Sequence, residues 1–270
     1  MLPQYQIIGG KMFREHSITI GGKNTWDDWH LQPSSRPVVK PPTQKTNYIE
    51  IPGANGSLDL SDLPMGYPVY QNRQGEWEFI VENGFKSWDV LYSEILNYVH
   101  GKKFQVILED DLAYYYEGRI TVKDWKSNNN GTWSNIVLGY NLGPFKYSLT
   151  STCEDWLWDP FDFENDVIND GYFNRIMLTE DNEWVELDYS DFIGQAPVIP
   201  NFIVTSNDGN GVLISFYNSR LGDYWISASF PDGVSRIPDM VFVKQSPDDV
   251  VKIRIRGKGV VSVDFRRGSL

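Results

Sequence analysis

Residues 87–108 read SWDVLYSEILNYVHGKKFQVIL, and within this stretch the spacing of apolar side chains changes from helical to extended. Trp88, Leu91, Ile95, Tyr98 and Val99 recur every three or four residues, which lays them along one stripe of an α-helix. Ser87 stands where an N-cap is needed and Asp89 suits the positive end of the helix dipole. His100, Gly101 and Lys102 supply a stop and favourable charge at the other end. From Phe104 onward the period is two, through Phe104-Gln105-Val106-Ile107-Leu108, then Tyr114 to Val122, Trp133 to Tyr140 and Phe145 to Leu149. Glu109-Asp110-Asp111 and Asn128-Asn129-Asn130-Gly131 separate these runs as polar hairpin turns, so the pattern predicts an antiparallel meander. One helix beside many strands predicts a β-rich domain whose helix covers a sheet face.

Towards the amino terminus, Ile18 to Ile20 reads as a strand stopped by Gly21-Gly22. A loop with Trp26 and Trp29 follows, then the proline-rich run from Arg36-Pro37 to Pro41-Pro42. Proline fixes φ and removes a ladder donor, so this run is expected to be an extended connector or a sheet edge. Tyr48-Ile49-Glu50-Ile51 is a short strand, and in the turn Pro52-Gly53-Ala54-Asn55-Gly56 both glycines can take positive φ. Towards the carboxyl terminus the pattern weakens from Cys153 to about Ile193. There Trp156, Trp158, Phe161, Phe163 and Tyr172 alternate with Asp155, Asp159, Asp162, Glu164, Asp166 and Asp170. After Pro197 and Pro200 a second alternating series runs through Phe202 to Thr205, Val212 to Phe216, Tyr224 to Phe230, Met240 to Val243, Val250 to Ile255 and Val260 to Phe265. Lys252-Ile253-Arg254-Ile255-Arg256 has one apolar and one basic face. The expected organisation is mainly β: residues 1–152 as an amino-terminal β-sandwich with one helix, 153–196 as a linker or inserted subregion, and 197–270 as a smaller sandwich that takes in part of the middle stretch.

Composition limits the function classes. Hydrophobic residues make up 41% of the 270 and charged residues 22%, which is ordinary for a folded chain, and the 14% aromatics favour short strands joined by turns. A formal net charge of −12 argues against stable binding to the outside of DNA, where affinity comes from Lys and Arg on phosphates. An acidic surface could still let DNA slide past without capture. Cys153 is the only cysteine, so an intrachain disulfide and a Cys-rich zinc site are both excluded, folding in a reducing cytoplasm is expected, and a small buried side chain is predicted. The first eleven residues do not read as a signal peptide, and no run of about eighteen apolar residues offers a membrane span.

Catalytic chemistry finds no foothold. His16, His30 and His100 lack metal-ligand spacing, G-x-S-x-G and phosphate-loop patterns are missing, and Gly257-Lys258-Gly259 reads as a hairpin turn. Glu109-Asp110-Asp111 could serve as paired carboxylates, but a solvated turn explains it better. The acids between Asp155 and Asp170 lack calcium-loop spacing, and the Trp156-Leu157-Trp158 cluster with Phe161 and Phe163 reads as interdomain packing in preference to a sugar platform. Catalytic, cofactor-binding and metal-binding residues are therefore all assigned as none.

Residues 48–60, YIEIPGANGSLDL, resemble the I-P-G-x-[DN]-G-x-[LI]-D-L segment of siphophage distal tail proteins. Further pieces follow in that family's order. Ile18-Thr19-Ile20-Gly21 comes first, with Trp26 to Trp29 and the proline-rich connector. Gly66-Tyr67-Pro68-Val69-Tyr70-Gln71-Asn72-Arg73, the Trp88 to Gly101 helix and Tyr114-Tyr115-Tyr116-Glu117-Gly118-Arg119 come next. Ile237-Pro238-Asp239-Met240, Gly257-Lys258-Gly259 and the closing Val263-Asp264-Phe265-Arg266-Arg267-Gly268-Ser269-Leu270 complete the likeness. The resemblance covers roughly residues 16–150 and 197–270. It implies a structural, non-enzymatic baseplate hub: an amino-terminal domain closing into a homo-hexameric ring through which DNA passes, and a galectin-like or carbohydrate-module-like carboxyl-terminal sandwich. It also implies partners, namely tail-tube subunits, the tail-associated (tail-tip) protein and receptor-binding proteins, with the assembled protein at the virion tail tip after synthesis in the host cytoplasm. The competing reading of the residues is a carbohydrate-binding sandwich module or a glycan-active protein.

Overall fold

Two-residue alternation of buried and solvent-facing side chains organises most of the chain, and it produces two separate hydrophobic cores. In the computed structural model the described residues are 7–8, 11–12, 16–63, 65–82, 86–127, 133–154, 173–179, 183–206, 209–222 and 225–270. Contacts divide the chain into one unit of residues 1–44 and 70–146 and another of 45–69 and 147–270. The fold is mainly β with one α-helix among the described residues, as the sequence predicts. The turn expected at Asn128-Asn129-Asn130-Gly131, the amino-terminal residues before Ile7 and the whole aromatic and acidic stretch 155–172 lie outside the described residues.

In chain order the first elements are β1 (Ile7–Ile8), β2 (Lys11–Met12), β3 (Ile18–Ile20), β4 (Lys23–Asn24), β5 (Leu31–Pro33), β6 (Tyr48–Glu50) and β7 (Ser57–Asp59). There follow β8 (Arg73–Glu82), α1 (Trp88–Val99), β9 (Lys102–Leu108), β10 (Tyr114–Lys126), β11 (Trp133–Leu142) and β12 (Lys146–Ser148). The sheet of the first unit runs β4-β3-β9-β10-β11-β8-β5, with antiparallel neighbours. Registers such as Ile136 opposite Phe79 and Leu138 opposite Trp77 put Phe79, Trp77, Ile120, Ile136 and Leu138 on one face, and all five are buried. From α1, Leu91, Ile95 and Val99 join this core. Each fully buried apolar side chain of this size contributes roughly 1.5–3 kcal/mol relative to exposure. The Ser87 side chain makes no capping bond, whereas Lys102 donates from Nζ to the Asn97 carbonyl at 2.6 Å and so completes the carboxyl-terminal end.

The second unit contains β13 (Ile176–Leu178), β14 (Val185–Asp188), β15 (Asn201–Ser206), β16 (Val212–Asn218), β17 (Trp225–Phe230), β18 (Gly233–Ser235), β19 (Val251–Gly257), β20 (Gly259–Asp264) and β21 (Gly268–Ser269). The first eight of these form two four-stranded antiparallel sheets, β13-β20-β15-β18 and β14-β19-β16-β17. Phe202, Val204, Val261 and Val263 from one sheet share a core with Ile214, Phe216, Ile253 and Ile255 from the other, so this unit is a sandwich. The stretch from residue 153 to 196 contributes β13 to one sheet and β14 to the other.

Gly257-Lys258-Gly259 is not the expected hairpin turn. β19 and β20 belong to different sheets, so this tripeptide is a corner that carries the chain across the core. The two glycines sit at φ of 145° and 141°, and a Cβ on Gly259 would run into the Thr205 carbonyl oxygen.

Candidate assembly interface

Residues 45–69 leave the first unit's sequence between β5 and β8 and cluster with the second unit. The excursion is closed at its base by the Lys45 amide, which donates to the Val69 carbonyl at 2.7 Å. Beyond it, β6 and β7 pair antiparallel with Tyr48 opposite Asp59, Ile49 opposite Leu58 and Glu50 opposite Ser57. Gly53 and Gly56 at φ of 83° and 79° make the tight turn that the sequence predicts there. At the far end of β7, Ser61 donates from both its amide and its hydroxyl to Asp59. Those bonds hold the Asp59 carboxyl below its ordinary range. Further along, the Gly66 carbonyl accepts from the Arg220 guanidinium at 2.9 Å. The same Arg220 donates through Nε to Asp249 at 2.6 Å. Burial opposes the Asp249 charge, but Arg220 and the Gln245 and Ser246 amides outweigh it and depress the carboxyl.

Every residue of β6 and β7 is exposed, on both faces of the pair. Ile49 and Leu58, directly opposite each other, are 47% and 49% exposed, Leu63 is 75% exposed, and Tyr48, Ile51 and Met65 are exposed as well. A lone two-stranded pair is marginal in water, and clustered apolar surface marks an interaction site. Among the described residues no further strand pairs with either of its backbone edges.

The proline-rich connector is fixed in place. Val38 presents its carbonyl to Trp77 Nε1 at 3.1 Å and to the Tyr140 hydroxyl at 3.3 Å, while the Lys40 amide donates to Tyr140 at 3.0 Å. Arg73, only 5% exposed, donates to the carbonyls of Lys40 and Pro144. Burial lowers the guanidinium's pKa. The connector therefore lies on the first unit as an ordered strap whose Val38 side chain points to solvent.

The residues weighed for catalysis are dispersed or engaged. Glu109-Asp110-Asp111 forms a single 3-10 turn in the hairpin connection between the paired strands β9 and β10, as the sequence predicts, but its carboxylates are engaged. Glu109 accepts from the Ser17 amide, Asp110 from His16 and Arg36, and Asp111 from Lys146. His30 stacks on Trp26, and His100 Nδ1 accepts from the Val122 amide. No group of His, Cys, Asp and Glu able to hold a metal occurs among the described residues. Cys153 is half-buried, not fully enclosed, and burial with the nearby Asp264 raises its thiol to about 11, so a thiolate nucleophile is absent at neutral pH. The calcium reading of Asp155 to Asp170 and the sugar-platform reading of Trp156 and Trp158 fall outside the described residues.

Comparison of the whole fold with solved structures finds the crystal structure of the SPP1 Dit (gp 19.1) protein, described as a paradigm of the hub adsorption apparatus in Gram-positive-infecting phages. The match spans 94% of this chain and 99% of that one at a TM-score of 0.51 and 11% identity. The chain has a distal-tail-protein-like fold. By sequence, no family model matches and no curated protein does. On this distal-tail-like fold the pieces of the resemblance fall on identifiable elements: residues 48–60 build β6, its turn and β7, the helix is α1, and residues 114–119 open β10. At this level of identity the likeness is one of backbone, carried by alternation and turn chemistry, which many sequences satisfy. Sequence reading located the 48–60 segment but not its exposure on both faces, because period-two alternation looks the same whether or not a partner covers the second face.

Proposed function

We propose that the chain is a structural subunit of a phage tail tip, a distal tail protein that closes into a homo-hexameric ring between the tail tube and the host-recognition apparatus. The observation that carries this reading is the fold likeness over nearly the whole length of both chains to a phage adsorption-hub protein. The surface supports it: a ring needs one heterologous interface repeated until it closes, and the open edges and apolar side chains of β6 and β7 are material for such a contact. Tail-tube subunits on one side, the tail-tip protein on the other and receptor-binding proteins outside are the partners this role calls for. The charge of −12 per copy is multiplied in a ring, and a lumen of that sign lets DNA pass without capture. The role is one of assembly, with no catalytic residue, cofactor or metal required.

Negative-stain microscopy and multi-angle light scattering of the purified full chain test it. A six-fold ring is the expected outcome, alone or on addition of the adjoining tail proteins. A chain that stays single at high concentration and with those partners overturns the reading.

A further inference from the structure

The outer face of the β14-β19-β16-β17 sheet carries a group of side chains that the assembly role leaves unused. Strand alternation points Lys252, Arg254 and Arg256 of β19 away from the core, while Val251, Ile253 and Ile255 are fully buried. Arg254 and Arg256 lie two residues apart on one face, about 7 Å by the rise of a strand. The guanidinium of Arg254 lies 3.7 Å from the ring centroid of Trp225 on one side and 5.2 Å from Trp184 on the other, and Arg256 is 5.1 Å from Trp184. Tyr217 stands beside Trp225 at 5.4 Å. On the same face the Ser215 and Ser227 hydroxyls share a hydrogen bond of 2.8 Å.

Charge sets these arginines apart from their neighbour. Lys252 meets Glu186 at 3.1 Å and Asp188 at 4.0 Å, whereas neither Arg254 nor Arg256 has a carboxylate within ion-pair distance among the described residues. In a chain with 36 acids that is an unusual place to leave two cations. The Nε of Arg254 is buried with no hydrogen-bond partner among the described residues. Stacking on tryptophan fixes a guanidinium plane and leaves its edge donors directed in that plane, the form that suits a planar carboxylate.

We propose that this face binds an acidic saccharide, one whose sugar rings carry carboxylates. Arg254 and Arg256 take the carboxylate, and the exposed part of the Trp184 ring packs against a sugar ring. Ser227 and Ser229, both exposed on β17, and the Glu186 carboxylate meet sugar hydroxyls. Glu186 and Asp188 lie on the same face beside the arginines and interrupt its positive charge, whereas a phosphodiester backbone is held by a continuous run of Lys and Arg, which favours a saccharide carboxylate over a phosphate polymer. The proposal stands apart from the ring reading, since it needs neither a hexamer nor the β6-β7 pair.

Affinity electrophoresis of the full chain through gels containing polygalacturonate, dextran, poly(glycerol phosphate) or single-stranded DNA tests it. Retardation by polygalacturonate alone is expected, weakened at least tenfold in both Arg256→Ala and Trp184→Ala. Both changes are at the surface, and circular dichroism checks that each variant is folded; Arg256→Lys, which keeps charge but not the planar fork, should also bind more weakly. No retardation by polygalacturonate, equal retardation by dextran, stronger retardation by either phosphate polymer, or polygalacturonate binding unchanged in both alanine variants would each overturn the assignment.

Discussion

Two antiparallel strand pairs in this molecule use apolar residues in opposite ways. In β16 and β19, Ile214 faces Ile255 and Phe216 faces Ile253, and all four side chains are sealed inside the sandwich. In β6 and β7, Ile49 faces Leu58 in the same cross-strand arrangement, yet both stand half in water. The backbone pairing is equivalent, so what differs is the covering layer. In the sandwich the second sheet supplies it within the same chain. No such layer covers the β6-β7 pair among the described residues, and it is this open surface that the proposed assembly contact would use.

The contrast can be tested in graded steps. Phe216→Ala empties a fully enclosed site and should lower unfolding free energy by about 3–5 kcal/mol, read as a fall in the denaturant midpoint. Gly259→Ala should cost about 1–3 kcal/mol, because its φ of 141° and the Thr205 carbonyl leave no room for a methyl group; an unchanged melting temperature would show that the corner between the sheets relaxes freely.

Asp249→Asn should cost about 1–3 kcal/mol at neutral pH by unpairing Arg220. The folded carboxyl is depressed below its unfolded value near 3.9, so its contribution is full above that value and is lost as pH falls through the folded pKa. Urea titrations from pH 6 to pH 2.5 should therefore show a shallower acid loss in the variant than in the parent.

Leu58→Ser and Ile49→Ser should shift the stability of the isolated chain by no more than about 0.5 kcal/mol. Their effect should appear in association, with sedimentation velocity recording at least a tenfold weakening of self-assembly. A large stability loss with unchanged assembly would make the β6-β7 pair an ordinary part of the fold. At the bottom of the scale, Ser87→Ala should change helix and protein stability by less than about 0.3 kcal/mol, well under the usual worth of an N-cap, because that hydroxyl makes no capping bond.

Much of the architecture was readable from local pattern. The stripe from Trp88 to Val99 specifies α1 because only a helix brings those positions together, and Lys252 to Arg256 specifies a half-buried strand because alternate side chains must face opposite ways. Turn residues 52–56 announce a chain reversal because glycine tolerates positive φ. Less of the candidate surfaces was readable. Glu109, Asp110 and Asp111 look like any acidic turn until Ser17, His16, Arg36 and Lys146 arrive from distant parts of the chain. The contacts of Arg254 with Trp184 and Trp225 join two strands and the residue just before a third, and nothing in their sequence separation signals it.

Amino-acid order alone located the helix and most of the longer strands, the apolar side of each and the positions where the chain can turn, because these depend on neighbours within a few residues. Tertiary structure decided what lies against each face: that residues 45–69 cluster with the carboxyl-terminal sandwich, that Gly257 to Gly259 crosses between sheets, and that Ile49 and Leu58 remain uncovered while Ile253 and Phe216 do not. Those outcomes depend on contacts between residues far apart in the chain, whose loop-closure entropy and packing complementarity no local pattern encodes.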